Sequence, residues 1–192
     1  VSDSPVVVNS KVVRRTALLA ARRDRPLEVR TTAARSLAAH LRARLSDTGV
    51  VAGFVPTAEE PGHGELPAAL PGVRVLLPVV PASGRVLSWA DRSADLAPGR
   101  YGLLEPVGPR WPASELGLAD VVVVPALAVG RDGSRLGRGG GYYDRALAHA
   151  RPDAVLVGVV FDEELVDAVP TEAHDVGLHA VVTPSGGWLE LG

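Results

Sequence analysis

The chain has 192 residues, 46% of them hydrophobic, with 22 acidic side chains against 20 basic ones and a net charge of −2. That length supports one domain with a substantial core, and the near-neutral charge argues against nucleic acid or an anionic membrane as the main partner. The absence of cysteine excludes disulfides, thiolate zinc sites and a cysteine nucleophile. No apolar run approaches a membrane span, and Val1 to Pro5 lack the basic start and apolar core of a signal peptide, so a cytoplasmic protein is expected.

Ser10 is placed to cap a first helix from Lys11 to Arg25, with Lys11 and Arg15 four residues apart on one face. Of the 20 basic residues, 19 are arginine and Lys11 is the only lysine. Either chance put it there, or position 11 needs a compact ammonium that a guanidinium does not replace. A second helix is predicted from Val29 to Leu45, where Ala and Leu recur at helical spacing. Strands follow at Val50–Val55, Val73–Val80, Leu87–Ala90, Val121–Val124, Val155–Phe161 and Ala180–Thr183. Leu87–Ala90 is read as a hairpin partner of Tyr101–Leu103. Val-rich continuous runs suggest strands buried on both faces, and their alternation with helices predicts an α/β fold. The expectation is a single domain over residues 1–192 (core about 10–183), with a mostly parallel, doubly wound sheet flanked by helices. Loops 56–72, 91–115 and 125–134 are rich in Pro and Gly, and polar ligand groups gather on such loops at the carboxyl ends of strands.

The densest chemistry lies in Arg135-Leu136-Gly137-Arg138-Gly139-Gly140-Gly141-Tyr142-Tyr143-Asp144. Glycines let the backbone approach a ligand closely, and clustered N–H groups with arginines suit phosphate. The strand at Val121 precedes this loop, and a helix from Tyr142 to His149 is expected after it. The loop is not a Walker A, because no lysine and Ser/Thr end it. It is not a Rossmann fingerprint either, because Tyr142 occupies the third glycine position. A flexible turn is the competing reading of the glycines themselves.

This stretch, from Pro125 to Arg145, resembles the signature of the 5-formyltetrahydrofolate cyclo-ligase family, also called 5,10-methenyltetrahydrofolate synthetase. Similar segments recur in order: Lys11-x-x-x-Arg15, Phe54 to Glu60, Tyr101-Gly102-Leu103-Leu104-Glu105-Pro106, Val169-Pro170 and His174-Asp175. The resemblance implies a NagB/RpiA/CoA-transferase-like three-layer sandwich. It implies an ATP- and Mg²⁺-dependent carbon–nitrogen ligase that closes 5-formyltetrahydrofolate into 5,10-methenyltetrahydrofolate, releasing ADP and phosphate. Lys11, Arg15, Arg135 and Arg138 would clamp phosphates, Lys11 and Arg138 taking part in the reaction itself. Leu136, Gly137, Gly139, Gly140, Gly141, Tyr142, Tyr143 and Asp144 would line the ATP site with them. Asp144 would hold Mg²⁺, a hard cation that prefers oxygen. Glu60 and Tyr142 would meet the folate, with Glu59 and Glu65 as competitors for Glu60. Tyr142 and Tyr143 are candidates for ring stacking, core packing being the competing reading for one of them.

Two departures from the family pattern stand out. His179 occupies a strand start where an aspartate is usual, and imidazole is a poor Mg²⁺ ligand. Either the contact is made through water, or Asp175 takes part, or the ion rests on Asp144 and phosphate oxygens alone; the competing reading of His179 is an ordinary strand-edge residue. Pro61-Gly62-His63-Gly64 replaces a more acidic stretch after Glu60. Two other readings compete: a non-catalytic nucleotide- or folate-binding relative with a degraded metal site, and a sugar-phosphate isomerase or CoA-transferase-like enzyme on a similar scaffold. The expected partners are small molecules, and the expected state is a monomer.

Overall fold

Helix formation starts earlier than the sequence predicts. The computed structural model, which describes residues 5–93, 95–172 and 175–192, places α1 at Pro5–Asp24 and α2 at Leu27–Leu45. Proline suits a first helical turn because it leaves no N–H unpaired, so Ser10 lies inside α1 instead of capping it. Pro26 ends the connection and starts α2 with φ of −57°. On α2, Ala34, Leu37, Ala38, Leu41 and Leu45 are buried, the three- and four-residue spacing of a one-faced helix. His174 lies outside the described residues. No described helix is long and apolar enough to cross a membrane.

Among the described residues twelve strands follow: β1 (Val50–Ala52), β2 (Arg74–Val79), β3 (Ser88–Asp91), β4 (Leu96–Pro98), β5 (Leu104–Pro106), β6 (Val121–Pro125), β7 (Ala128–Gly130), β8 (Arg135–Leu136), β9 (Val155–Val159), β10 (Leu165–Val166), β11 (Ala180–Thr183) and β12 (Gly187–Glu190). A short helix, α3 (Tyr142–Leu147), lies between β8 and β9. The main sheet has the order β12-β11-β9-β6-β1-β2-β3. Its five inner strands are parallel, and β12 and β3 run antiparallel at the two edges. The result is a single-domain α/β fold with a mixed sheet flanked by helices.

Both faces of that sheet are covered, which explains the continuous apolar runs. Val121 and Val123 pack with Leu37 and Leu41 of α2 on one face. Val122 and Val124 pack with Trp89, Leu116 and Leu147 on the other. Alternate residues of one strand therefore serve two cores.

The hairpin expected between Leu87–Ala90 and Tyr101–Leu103 does not form. β3 pairs with β2 instead, and Trp89 bridges to Trp111. Tyr101 and Gly102 both take positive φ, 60° and 72°, and Leu103 donates to the Arg100 carbonyl at 3.2 Å. Two consecutive positive φ values are what a tight hairpin turn requires, so this segment turns the β4–β5 hairpin and is not itself a strand.

A second, three-stranded sheet of order β10-β7-β8 carries the glycine-rich loop. β7 and β8 form a hairpin in which Val129 pairs with Arg135 and Ala128 with Leu136. Leu18 of α1 packs on this sheet against Ala128, Leu136 and Val169. The strand directly before the glycines is thus β8, not β6, and α3 stops at Leu147, short of the predicted His149.

Candidate functional site

From β1 the chain passes to β2 on one side and only later to β6 on the other. The strand order reverses there, and open α/β sheets bind ligands at the carboxyl ends of strands beside such a reversal. A cavity of about 480 Å³ opens at that place. Phe54, Val55, Thr57 and Glu60 follow β1 in its wall, Pro78 and Val80 end β2, and Pro125 and Ala126 end β6. All three Pro/Gly-rich loops contribute to it. The glycine loop with Tyr142, Tyr143 and Asp144 closes one side, and Tyr101, Leu103, Leu104 and Glu105 close another.

Most of the residues singled out in the sequence meet here. Arg138 joins the glycine loop to the segment after β1: its guanidinium lies 3.0 Å from Glu60 Oε1 and 3.4 Å from Thr57 Oγ1. Glu60 Oε2 accepts the Thr57 backbone N–H at 2.8 Å, so the Thr-x-x-Glu spacing fixes its carboxylate before any ligand arrives. Of the three competing glutamates only Glu60 lines the cavity. Glu65 lies 3.8 Å from Arg35 on the surface, and Glu59 is half-buried outside the wall.

Arg135 is buried by the β7–β8 hairpin and pairs with Asp144 in the first turn of α3. Its Nε is buried with no hydrogen-bond partner among the described residues, and so is the hydroxyl of Tyr143. Burial, with Glu60 near, pushes the Tyr143 phenol well above its usual range, against the opposing field of Arg135. The phenol therefore stays a donor. Two unpartnered buried donors beside a cavity are a cost that an anionic or carbonyl oxygen would remove. Tyr142 is half-buried and its hydroxyl lies 3.3 Å from that of Tyr101. That hydrogen bond is the main cause of a raised Tyr142 pKa.

Gly139 and Gly141 sit at φ of 90° and 67°, a backbone region that side chains resist. Behind the loop, Arg15 of α1 donates from Nε to the Gly137 carbonyl at 2.9 Å. Lys11, one turn earlier, does not line the cavity. Its buried ammonium lies 2.8 Å from Glu172 and 2.9 Å from Asp175. Burial works against that charge, but the two carboxylates outweigh it and hold the lysine pKa above its ordinary value.

His179 lies elsewhere. It immediately precedes β11, and its Nδ1 accepts the Leu156 backbone N–H at 3.0 Å near the start of β9. The cavity is at the opposite ends of these parallel strands. Among the described residues, no three acidic or histidine side chains gather as a ready cation cage. Asp144 offers a single carboxylate. Mg²⁺ fits such a donor set, since it keeps several waters and takes its other ligands from phosphates.

Sequence reasoning missed Thr57 and Arg85 in the wall, and also Arg22. The last is buried inside α1, where its guanidinium binds both oxygens of Glu164 and the Ala126 carbonyl. The Thr57-x-x-Glu60 spacing was a usable signal for the first. Nothing local distinguishes Arg22 among 19 arginines.

These features define an α/β protein whose ligand cleft, at the reversal of strand order, is lined by glycines and arginines and suits an anionic small molecule. The chain belongs to the 5-formyltetrahydrofolate cyclo-ligase family, whose sequence profile it matches over residues 7–184. It is 44% identical over 189 residues to a 5-formyltetrahydrofolate cyclo-ligase of Mycolicibacterium smegmatis, covering 95% of this chain and 97% of that one. An Escherichia coli 5-formyltetrahydrofolate cyclo-ligase is 37% identical over 123 residues, 61% of this chain and 66% of the relative. Among solved structures, the Aquifex aeolicus 5,10-methenyltetrahydrofolate synthetase superposes with a TM-score of 0.78 at 27% identity, covering 94% of this chain and 92% of that one. A Mycoplasma pneumoniae 5,10-methenyltetrahydrofolate synthetase shares the fold, with a TM-score of 0.68 at 18% identity over 89% and 96% of the two chains.

Proposed function

We propose that this protein uses ATP to close 5-formyltetrahydrofolate into 5,10-methenyltetrahydrofolate, releasing ADP and phosphate, as a single domain on the three-layer NagB/RpiA/CoA-transferase-like plan. The observation that carries this reading is the cavity at the strand-order reversal. There Arg138 of the glycine loop meets Glu60 beside an apolar wall, in a chain of this family.

A formamide carbon is a poor electrophile, and its oxygen is a poor leaving group. Transfer of the γ-phosphoryl group to that oxygen breaks the bond to ADP and cures both defects. The neighbouring folate nitrogen then forms a bond to the activated carbon, the carbon–oxygen bond breaks, and phosphate leaves as the nitrogen loses its proton. Such a reaction asks a protein for alignment and charge stabilisation more than for covalent chemistry. The backbone N–H groups of Leu136, Gly137, Gly139, Gly140 and Gly141 would cradle phosphate oxygens. Arg138 would neutralise charge on the transferred group. Arg15 braces the loop from behind, and Lys11 would join it by exchanging Glu172 and Asp175 for phosphate oxygen. Arg135 and Tyr143 supply the buried donors. Asp144 would hold Mg²⁺, which would supply charge neutralisation for the phosphates. Glu60, released from Arg138, would accept from N–H groups of the folate ring, and Tyr142 would lie along it.

The competing reading of a non-catalytic relative rested on His179, which lies at the far end of the sheet from the cavity. The test is direct: purified protein with 5-formyltetrahydrofolate, ATP and Mg²⁺, with methenyl product followed by its near-ultraviolet absorbance and ADP counted in parallel. One ADP per methenyl product is expected. ATP-independent product, or binding without turnover, would refute the reading.

A further inference from the structure

The charges in the cavity wall balance in number but not in pairing. The wall contains three acids and three arginines. Each acid is already engaged: Glu60 with Arg138, Asp144 with Arg135, and Glu105 with the Val80 backbone N–H at 2.8 Å and Arg110 at 3.7 Å. Those contacts also occupy Arg135 and Arg138. Arg85, the third arginine of the wall, is exposed and makes no hydrogen bond or ion pair among the described residues. Beside it lies a second uncompensated cation. The Arg100 guanidinium rests 4.8 Å from the ring centre of Tyr101 and donates to the Pro81 carbonyl at 3.0 Å, with no carboxylate partner among the described residues. Tyr101 takes positive φ to reach the Tyr142 hydroxyl. This strained, exposed residue, of a kind that collects at functional sites, carries Arg100 to the rim where the β4–β5 hairpin meets α3. The fields of both arginines act on Tyr142 there.

We propose that Arg85 and Arg100 form a specificity site for the acidic tail of the folate substrate, an assignment that rests on the function proposed above. The apolar wall of Phe54, Val55, Leu87 and Leu103 suits the ring system. Folate carries a glutamyl tail with two carboxylates at the end remote from that ring, and each further γ-linked glutamate adds one more. A tail leaving the cavity at the Tyr101–Tyr142 rim meets two arginines with spare charge, whose planar forks match carboxylate. Phosphates have their own donors in the glycine loop and do not need this rim.

The test compares 5-formyltetrahydrofolate bearing one glutamate with the same compound bearing three. Wild-type protein, Arg85→Ala, Arg100→Ala and the double variant are each measured for KM and for Kd by calorimetry. Wild-type protein binds the longer tail more tightly. Each single variant weakens that binding about two- to fivefold, as exposed charge pairs do. The double variant loses the preference for tail length, and Arg85→Lys retains part of it. Raised salt removes the same preference from the wild type. A preference that survives in the double variant, or one absent from the wild type, overturns the proposal. A raised KM for ATP with an unchanged one for folate would also overturn it, assigning the rim to nucleotide. Folate bound with the tail preference but never turned over would sink the proposed reaction and leave this site standing.

Discussion

Among the arginine–glutamate pairs that tie distant parts of this chain together, Arg22–Glu164 and Arg138–Glu60 differ most usefully in what surrounds them. Arg22 and Glu164 join α1 to the segment after β9, with side chains only 1% and 2% exposed. Glu164 also accepts the Phe161 backbone N–H, and Arg22 also donates to the Ala126 carbonyl. Every charge there is spent inside the protein. Arg138 and Glu60 join the glycine loop to the segment after β1, but Arg138 is 47% exposed and opens onto the cavity. A satisfied buried pair holds a structure together. A half-exposed pair at a cleft can exchange its partner for a ligand at little cost.

The sharpest way to break this contrast is to truncate both arginines. Arg22→Ala strands a buried carboxylate and should cost about 3–5 kcal/mol, a large share of the ~5–15 kcal/mol that holds a domain folded. A urea midpoint measures it. Arg138→Ala should lower stability by less than ~1 kcal/mol yet reduce kcat/KM roughly 100- to 1,000-fold, as loss of one preorganised transition-state donor does. Equal stability losses in the two variants would erase the distinction.

Gly139→Val or Gly141→Val sharpens it on the cavity side. Each residue sits at positive φ, where a β-branched side chain is strained by ~1–3 kcal/mol. A Cβ at Gly139 would also touch the Arg15 guanidinium, 3.4 Å away. A loop displaced by an ångström should cost on the order of 100-fold in turnover, with nucleotide binding lost by calorimetry and circular dichroism unchanged. Retained ATP binding would move the phosphate site elsewhere. Asp144→Asn comes next. It keeps the shape but leaves Arg135 without a countercharge and removes the carboxylate proposed to hold Mg²⁺. The Mg²⁺ concentration for half-maximal methenyl formation should rise about tenfold or more.

The parallel sheet was legible because burial on two faces writes itself as unbroken Val runs: Ala180–Thr183 falls as predicted, and Val121–Val124 falls within a residue. The small sheet was not. β8 has two residues and β10 has two, too few for periodicity, and they pair only because the chain returns to them. The lining of the cavity was legible where residue type is constrained by backbone or charge, as in the glycines, Arg138, Glu60 and Asp144. Lys11 was legible as an unusual residue, but not its partners, since Glu172 and Asp175 lie more than 160 positions away. Ion pairs of that span leave no trace in local pattern.

His179 tests the smallest effect and the register of the sheet together. β11 runs parallel to β9, with Ala180 beside Val157, so His179 faces the start of β9 while phosphates would lie beyond its end. Its Nδ1 takes one backbone hydrogen bond from Leu156, which is work for stability. His179→Ala should therefore cost only ~1 kcal/mol and leave the Mg²⁺ requirement within about twofold, well inside the effect of Asp144→Asn. His179→Asp should not lower that requirement, although it restores the carboxylate usual at this strand start. A Mg²⁺ titration that shifts downward in His179→Asp would mean the strand start communicates with the cavity. The division of this molecule into a structural end and a chemical end would then have to be redrawn.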